Sequence, residues 1–161
     1  MYITLRPLEE KDAYTSWRWR NDPEVFANTG RRYSGPVTLE DELQWIRTVL
    51  ARPDERRFAI LAGEEYIGNM YLTGINNIEA EVSTLIGDKR YWNKIAGSRA
   101  LSLTIQYALK ELGLKYITTT IRKGHTASLR LGHKIGFKEV GENNEFIYLK
   151  LSHETFNPIL K

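Results

Sequence analysis

Between a strand-like run ending at Ile86 and an amphipathic helix lies Asn93-Lys94-Ile95-Ala96-Gly97-Ser98, whose residue types suit anion binding. Ala96, Gly97 and Ser98 are small enough for backbone N–H groups to approach a ligand. The stretch opens onto a helix N-terminus, where N–H groups lack intrahelical acceptors and the dipole is positive. Leu101, Ile105, Ala108 and Leu112 recur at helical spacing, and Gly113 follows where a left-handed residue ends a helix. Upstream, Glu79, Glu81 and Ser83 alternate along one strand and share a face. Glu79 reads as a hairpin-edge charge facing solvent, which leaves Glu81 as the better general base. Downstream stands His125, a side-chain type suited to proton transfer near neutrality. It could equally contact an anion or only fill a loop.

Charge agrees with an anionic ligand. Residues 89–134 hold ten basic residues, Lys94, Arg99 and Arg130 among them, against one acid, Glu111. The rest of the chain is acidic, with 13 basic and 19 acidic residues. A field confined to one segment points to a localised acidic ligand, although a solvated basic face has the same composition.

Trp92-Asn93-Lys94-Ile95-Ala96-Gly97 resembles the coenzyme A pyrophosphate loop of the GNAT superfamily of acyl-CoA N-acyltransferases, Arg/Gln-x-x-Gly-x-Gly/Ala. Trp92 replaces the usual Arg/Gln, as in the branch that includes ribosomal-protein N-terminal acetyltransferases, and Ile95 replaces the first Gly. A second run, His125-Thr126-Ala127-Ser128 through Lys134-Ile135-Gly136-Phe137, resembles the superfamily's Asn-x-x-Ser … Lys-x-Gly-Phe. The opening TLRPLEEKDA and WRWRNDPEV are similar to its amino-sugar and ribosomal-protein branches. The resemblance implies acetyl-CoA as cosubstrate, held by Leu85, Ile86, Trp92, Asn93, Lys94, Ile95, Ala96, Gly97, Ser98, Arg99, His125, Ser128 and Arg130. It implies acetyl transfer to a primary amine. Gly132 stands where many members keep the Tyr that protonates the departing thiolate, so Ser128 becomes the candidate acid. Ser128 may also be read as a first-turn residue bonding backbone. An amine must be neutral to attack a thioester, which calls for a base: Glu81, with His125 as the other candidate.

These residues need elements to position them. Tyr2 to Arg6 reads as a strand ended by Pro7, and Asp12 as the N-cap of a short helix broken at Asn21-Asp22-Pro23. Thr38 and Asp41 imitate a capping box before a helix whose stripe is Leu39, Leu43, Ile46 and Leu50. Arg57 to Leu61 and Tyr66 to Ile75 form a hairpin, and Glu79 to Ile86 feeds the small-residue loop. After the central helix come a strand over Leu114 to Ile121, a short helix over about Ala127 to Lys134, and strands from Gly136 and from Phe146 to Leu151. A helix between strands implies a crossover and a parallel pair. The fold class is α/β (α+β): one domain over residues 1–161, a mixed twisted sheet of about seven strands flanked by about four helices, in the GNAT order βααβββαβαββ.

No cysteine is present, so disulfides, thiolate nucleophiles and thiolate metal sites are excluded, and His125, His133 and His153 lack metal-ligand spacing. No apolar run spans a membrane and no signal peptide is evident, so a cytoplasmic location is the default. No aromatic-interleaved basic strand argues for nucleic acid. The acceptor is a small-molecule or peptide amine: a nucleotide-linked amino sugar is favoured by WRNDPEV and the loop bearing Arg31, Arg32 and Tyr33, with a protein N-terminus or a polyamine as alternatives. A homodimer is left open. A CoA-binding module without catalysis is the competing class, because Ile95, His125 and Gly132 depart from the pattern.

Overall fold

The computed structural model describes residues 2–27 and 35–160. Seven strands form one sheet in the order β1-β2-β3-β4-β5-β7-β6: β1 Ile3–Pro7, β2 Arg56–Ala62, β3 Glu65–Thr73, β4 Glu79–Ile86, β5 Tyr116–Arg122, β6 Lys138–Glu142 and β7 Phe146–Ser152. Neighbours are antiparallel except β4 and β5, which run parallel because α4, Ala96–Lys110, crosses between them. The remaining helices are α1 Ala13–Arg20, α2 Pro23–Ala27, α3 Leu39–Leu50 and α5 Thr126–Ile135. Among the described residues no helix is long and apolar enough to cross a membrane. The loop residues Arg31, Arg32 and Tyr33 lie outside the described residues.

The two faces of the sheet differ. Ile60, Met70, Leu72 and Val82 point to one face and pack with Ile105 and Ala108 of α4 into the main core. Arg57, Ala59, Asn69 and Tyr71, alternating with those residues, point to the other face, where Ile46 and Leu8 close a smaller cluster. The C-terminal segment straps the first face: the Asn157 N–H donates to Ile135 O at 2.7 Å and the Ile159 N–H to Ser102 Oγ at 2.9 Å.

The sequence expectations need two corrections. The helix does break at Asn21-Asp22, and Pro23 starts α2, because a proline suits the first turn, where no N–H is needed. Asp12 does not cap α1. Its carboxylate, 4% exposed, accepts two hydrogen bonds from Arg6 at 2.8 and 2.7 Å and one from the Glu9 N–H at 2.8 Å, which holds β1 against the turn before α1. The stripe of α3 is rotated from the one expected: Glu42, Ile46 and Val49 are buried, while Leu50 is 43% exposed. The Thr38–Asp41 capping box forms as expected.

Candidate active site

The parallel pair does not stay paired. Register joins Glu79 to Tyr116, Ala80 to Ile117 and Glu81 to Thr118, and the Thr119 hydroxyl donates once more to Val82 O at 3.1 Å. Beyond that point β4 runs to Ile86 along β3 alone, and β5 to Arg122 along β7 alone. The parted strands present backbone N–H and C=O groups to each other without a ladder, and such groups go to water or to a ligand. Because β4 leads into α4 and β5 into α5, both helix N-termini flank the split. Neither helix carries an acid in its first turn. The split is therefore lined by free strand backbone and by two positive dipole ends.

The α4 side carries the predicted anion loop. Ile95 is the N-cap, with no side-chain cap. Asn93 adopts φ 56°, an uncommon left-handed conformation for a residue other than glycine. A Cβ on Gly97 would meet only Ile86 Cγ1, at 3.8 Å, so space lies open above this first turn. These features fit a pyrophosphate against the Ala96, Gly97 and Ser98 backbone, with Lys94, exposed, beside it. Two predicted contacts do other work. The Trp92 indole N–H donates to Ile86 O at 2.7 Å, which ties the loop to the end of β4, and the Ser98 hydroxyl donates to Ile95 O at 2.9 Å. Arg99 lines a separate, largely apolar groove of about 650 Å³ between β1 and α4, which holds none of the other predicted residues.

The loop is anchored from the opposite side of the sheet. A Cβ on Gly87 would lie 1.9 Å from Trp19 Cδ2, so only glycine lets the buried Trp19 ring lie on this backbone. Lys89 bridges to Asp22 at 2.8 Å and Glu24 at 2.7 Å. Those bonds raise its pKa, and the Lys89 bond lowers that of Asp22. Asp88, lowered chiefly by its hydrogen bond from Arg90, likewise holds that guanidinium in place.

The proton-transfer candidates are divided between the start of α5 and the paired stretch of β4. Ser128 lies in the first turn of α5, half-buried, and its hydroxyl makes no hydrogen bond among the described residues. His125 occupies the N-cap position of α5 and is exposed. Glu81 is exposed on the face opposite α4, together with Ser83 and Leu85, and Glu79 stands 3.8 Å from Lys150. Tyr148 pairs with Thr120, and its hydroxyl accepts from Asn143 Nδ2 at 2.8 Å. Sequence motifs did not mark the cluster beside β4 on this face. There Glu42, Arg20, Arg57, Ser16, Trp45 and Tyr71 line a small cavity with Leu85. Burial pushes the Glu42 carboxyl up, against the pull of Arg20. Its signal was an acid at the inward positions of the α3 period.

The acetyltransferase (GNAT) domain family matches residues 3–138. An N-acetyltransferase 9-like protein of Caenorhabditis briggsae is 29% identical over 156 residues, covering 88% of this chain and 77% of that one. An uncharacterised Methanocaldococcus jannaschii protein is 24% identical over 157 residues, covering 91% of this chain, which spans only 30% of that relative's length. The crystal structure of spermidine N-acetyltransferase from Vibrio cholerae in complex with CoA and spermine superposes with a TM-score of 0.84 at 19% identity, covering 95% of this chain and 96% of that one. The chain belongs to the acetyltransferase (GNAT) domain family, whose model matches residues 3–138.

Proposed function

We propose that the chain transfers the acetyl group of acetyl-CoA to the primary amine of a small molecule bearing an anionic part, a nucleotide-linked amino sugar being the chemistry that fits. The observation that carries acetyl transfer is the β4–β5 split between two acid-free helix N-termini. The acceptor reading rests on the other face of the sheet. Around Trp45 stand three guanidinium groups, Arg20 at 5.7 Å, Arg52 at 5.4 Å and Arg57 at 5.7 Å from the ring centroid; with Glu42 facing Arg20 and Glu55 shared by Arg52 and Arg57 the patch keeps one positive charge in excess, which tilts it toward an anionic group. The second reading is a polyamine, supported by the spermidine N-acetyltransferase likeness and by the exposed Glu81 on the open strand face. A peptide N-terminus is the third acceptor chemistry.

In this proposal Glu81 takes the ammonium proton at the mouth, the free amine attacks the thioester carbon, and the C–S bond breaks with its electrons on sulfur. Ser128 gives the thiolate a proton and recovers one from solvent, the nitrogen sheds its second proton as the amide forms, and His125 contacts the cosubstrate at the start of α5 together with Arg130. The test is thiol release from acetyl-CoA with a UDP-linked amino sugar, spermidine and a tripeptide, beside a thermal-shift titration with free CoA. CoA should raise Tm, because it binds the folded chain alone. Gly97→Asp should abolish that shift, and Ser128→Ala should keep it while lowering kcat by about a hundredfold. The amino sugar should be turned over fastest. No thiol release with any amine, despite CoA binding, would leave a CoA-binding module instead.

A further inference from the structure

The cavity beneath α1 and α3 measures about 30 Å³, room for about one water. Four polar atoms of its lining, Ser16 Oγ, Arg20 Nε, Glu42 Oε2 and Arg57 Nε, are buried and make no hydrogen bond among the described residues. The Glu42 side chain is 3% exposed, and Arg20 Nε stands 3.8 Å from its Oε2, too far for a hydrogen bond. The other capacity of the surroundings is committed. Arg57 binds Glu55 through Nη2, and the Tyr66 hydroxyl donates to Asn69 Oδ1 at 2.6 Å. A polar void of one-water size, lined by residues with four buried polar atoms that make no hydrogen bond among the described residues, is a water site. Leu85 lines the same void from the segment of β4 that has parted from β5, so the void lies directly behind the open strand.

We propose that a water held by Ser16, Arg20, Arg57 and Glu42 relays to the Glu42 carboxylate the proton that leaves the acceptor nitrogen after it has attacked the thioester. The inference rests on the acetyl-transfer reading above. An ammonium acceptor loses two protons. The first leaves before attack and can go to the exposed Glu81 and to solvent. When the C–N bond has formed the nitrogen is again cationic. As the C–S bond breaks, the thiolate gains a proton from Ser128, which recovers one from solvent, and the second nitrogen proton passes through the water to Glu42, which later releases it to solvent. One proton is released overall, as the reaction requires. Burial raises the affinity of Glu42 for a proton, which suits an acceptor that must first be ionised and then hold the proton. The titratable and charged groups facing it are Arg20 from α1, Arg57 from β2 and Tyr71 from β3, the last kept neutral by burial, while β4 offers Leu85.

The test is the pH dependence of kcat for wild type, Glu42→Gln, Glu42→Asp and Ser16→Ala, with acetyl-CoA and with the UDP-linked amino sugar and spermidine as probe amines. Glu42→Gln should lower kcat about a hundredfold and remove the limb on which kcat rises with pH, while KM for acetyl-CoA stays unchanged. Glu42→Asp should restore part of the rate. Ser16→Ala, which keeps the carboxylate and loses one ligand of the water, should lower kcat with the limb still present, and it decides the matter if Glu42→Gln does not fold. Unchanged pH profiles in both Glu42→Gln and Ser16→Ala, with wild type active, would overturn the relay alone. A rise in acceptor KM at constant kcat would also overturn it and make Glu42 an anchor for the amine. A wild type that binds CoA but acetylates neither of these amines nor the tripeptide defeats the acetyl-transfer reading, and the relay with it.

Discussion

Glu42 carries an ionisable group into a place that penalises ionisation, and this has a consequence for stability apart from catalysis. Burial raises its folded pKa above the unfolded value of about 4.3. The folded state therefore prefers the protonated carboxyl. That stabilisation is fully present below the unfolded pKa and is lost as pH rises through the folded one. Glu42→Gln does not titrate, so its Tm minus that of wild type should increase from acid to neutral pH. Thermal melts in buffers on both sides of the carboxylate range measure this, and a difference that stays constant with pH would show that Glu42 ionises as readily in the fold as in the unfolded chain. Asp12 is the contrasting residue. It is as buried as Glu42 but receives a two-pronged Arg6 bond and a backbone N–H, so its charge is satisfied where that of Glu42 is not.

The elements were largely legible because hydrophobic period and turn chemistry are local. Glu79–Ile86 has the same bounds in sequence and structure, the Thr38–Asp41 box forms, and α4 packs the stripe that its spacing announces. Local pattern does not report rotation or packing partners. Leu39, Leu43, Ile46 and Leu50 suggested one face of α3; Ile46 is buried with Leu39 and Leu43 beside it, but Glu42 and Val49 are buried where Leu50 is not, because the arginines of α1 and β2 offer a polar floor that only the assembled fold creates. The loop opening onto α4 was legible from its small residues, but its support was not. Trp19, from a helix far upstream, rests on Gly87, and Lys89 reaches back to Asp22 and Glu24. Acceptor-side helices and cosubstrate loop thus share one mechanical contact. Gly87→Ala should cost about 1–3 kcal/mol, because the Trp19 ring must leave its place, and should weaken the CoA-induced Tm shift as well. Combining it with Trp19→Leu should recover part of both losses, since adjacent overpacked sites are not additive. A double mutant whose losses simply sum would mean that the two sites do not communicate.

At the scale of the molecule, the basic segment is continuous in sequence but divided in space. Its ten cations are not one field. Lys89 and Arg90 are spent on Asp22, Glu24, Glu65 and Asp88, and Lys123 pairs with Glu142 at 2.7 Å. Lys110 and Lys115 lie at the far end of α4, whose 15 residues put about 20 Å between its termini. That separation exceeds the screening length of about 8 Å at physiological salt, so their charge reaches the split only weakly. Lys94 on the anion loop, Arg122 at the end of β5 and Arg130 in α5 are exposed cations on the elements that border it. The net charge of +3 therefore says less about the cosubstrate than these local charges do. Lys94→Glu should raise KM for acetyl-CoA by about tenfold or more, the worth of one charge-assisted contact, with kcat nearly unchanged, because a phosphate contact is made equally in ground and transition states. The double variant Lys110→Glu/Lys115→Glu changes twice the charge and should leave KM within about twofold of wild type at physiological ionic strength, where screening suppresses distant charges. At low salt the double variant should begin to raise KM, and the effect of Lys94→Glu should grow. Steady-state KM for acetyl-CoA across a salt series decides this. Equal effects from the near and the far charges at physiological salt would return the whole segment to cosubstrate attraction and remove the special place of the Asn93–Ser98 loop.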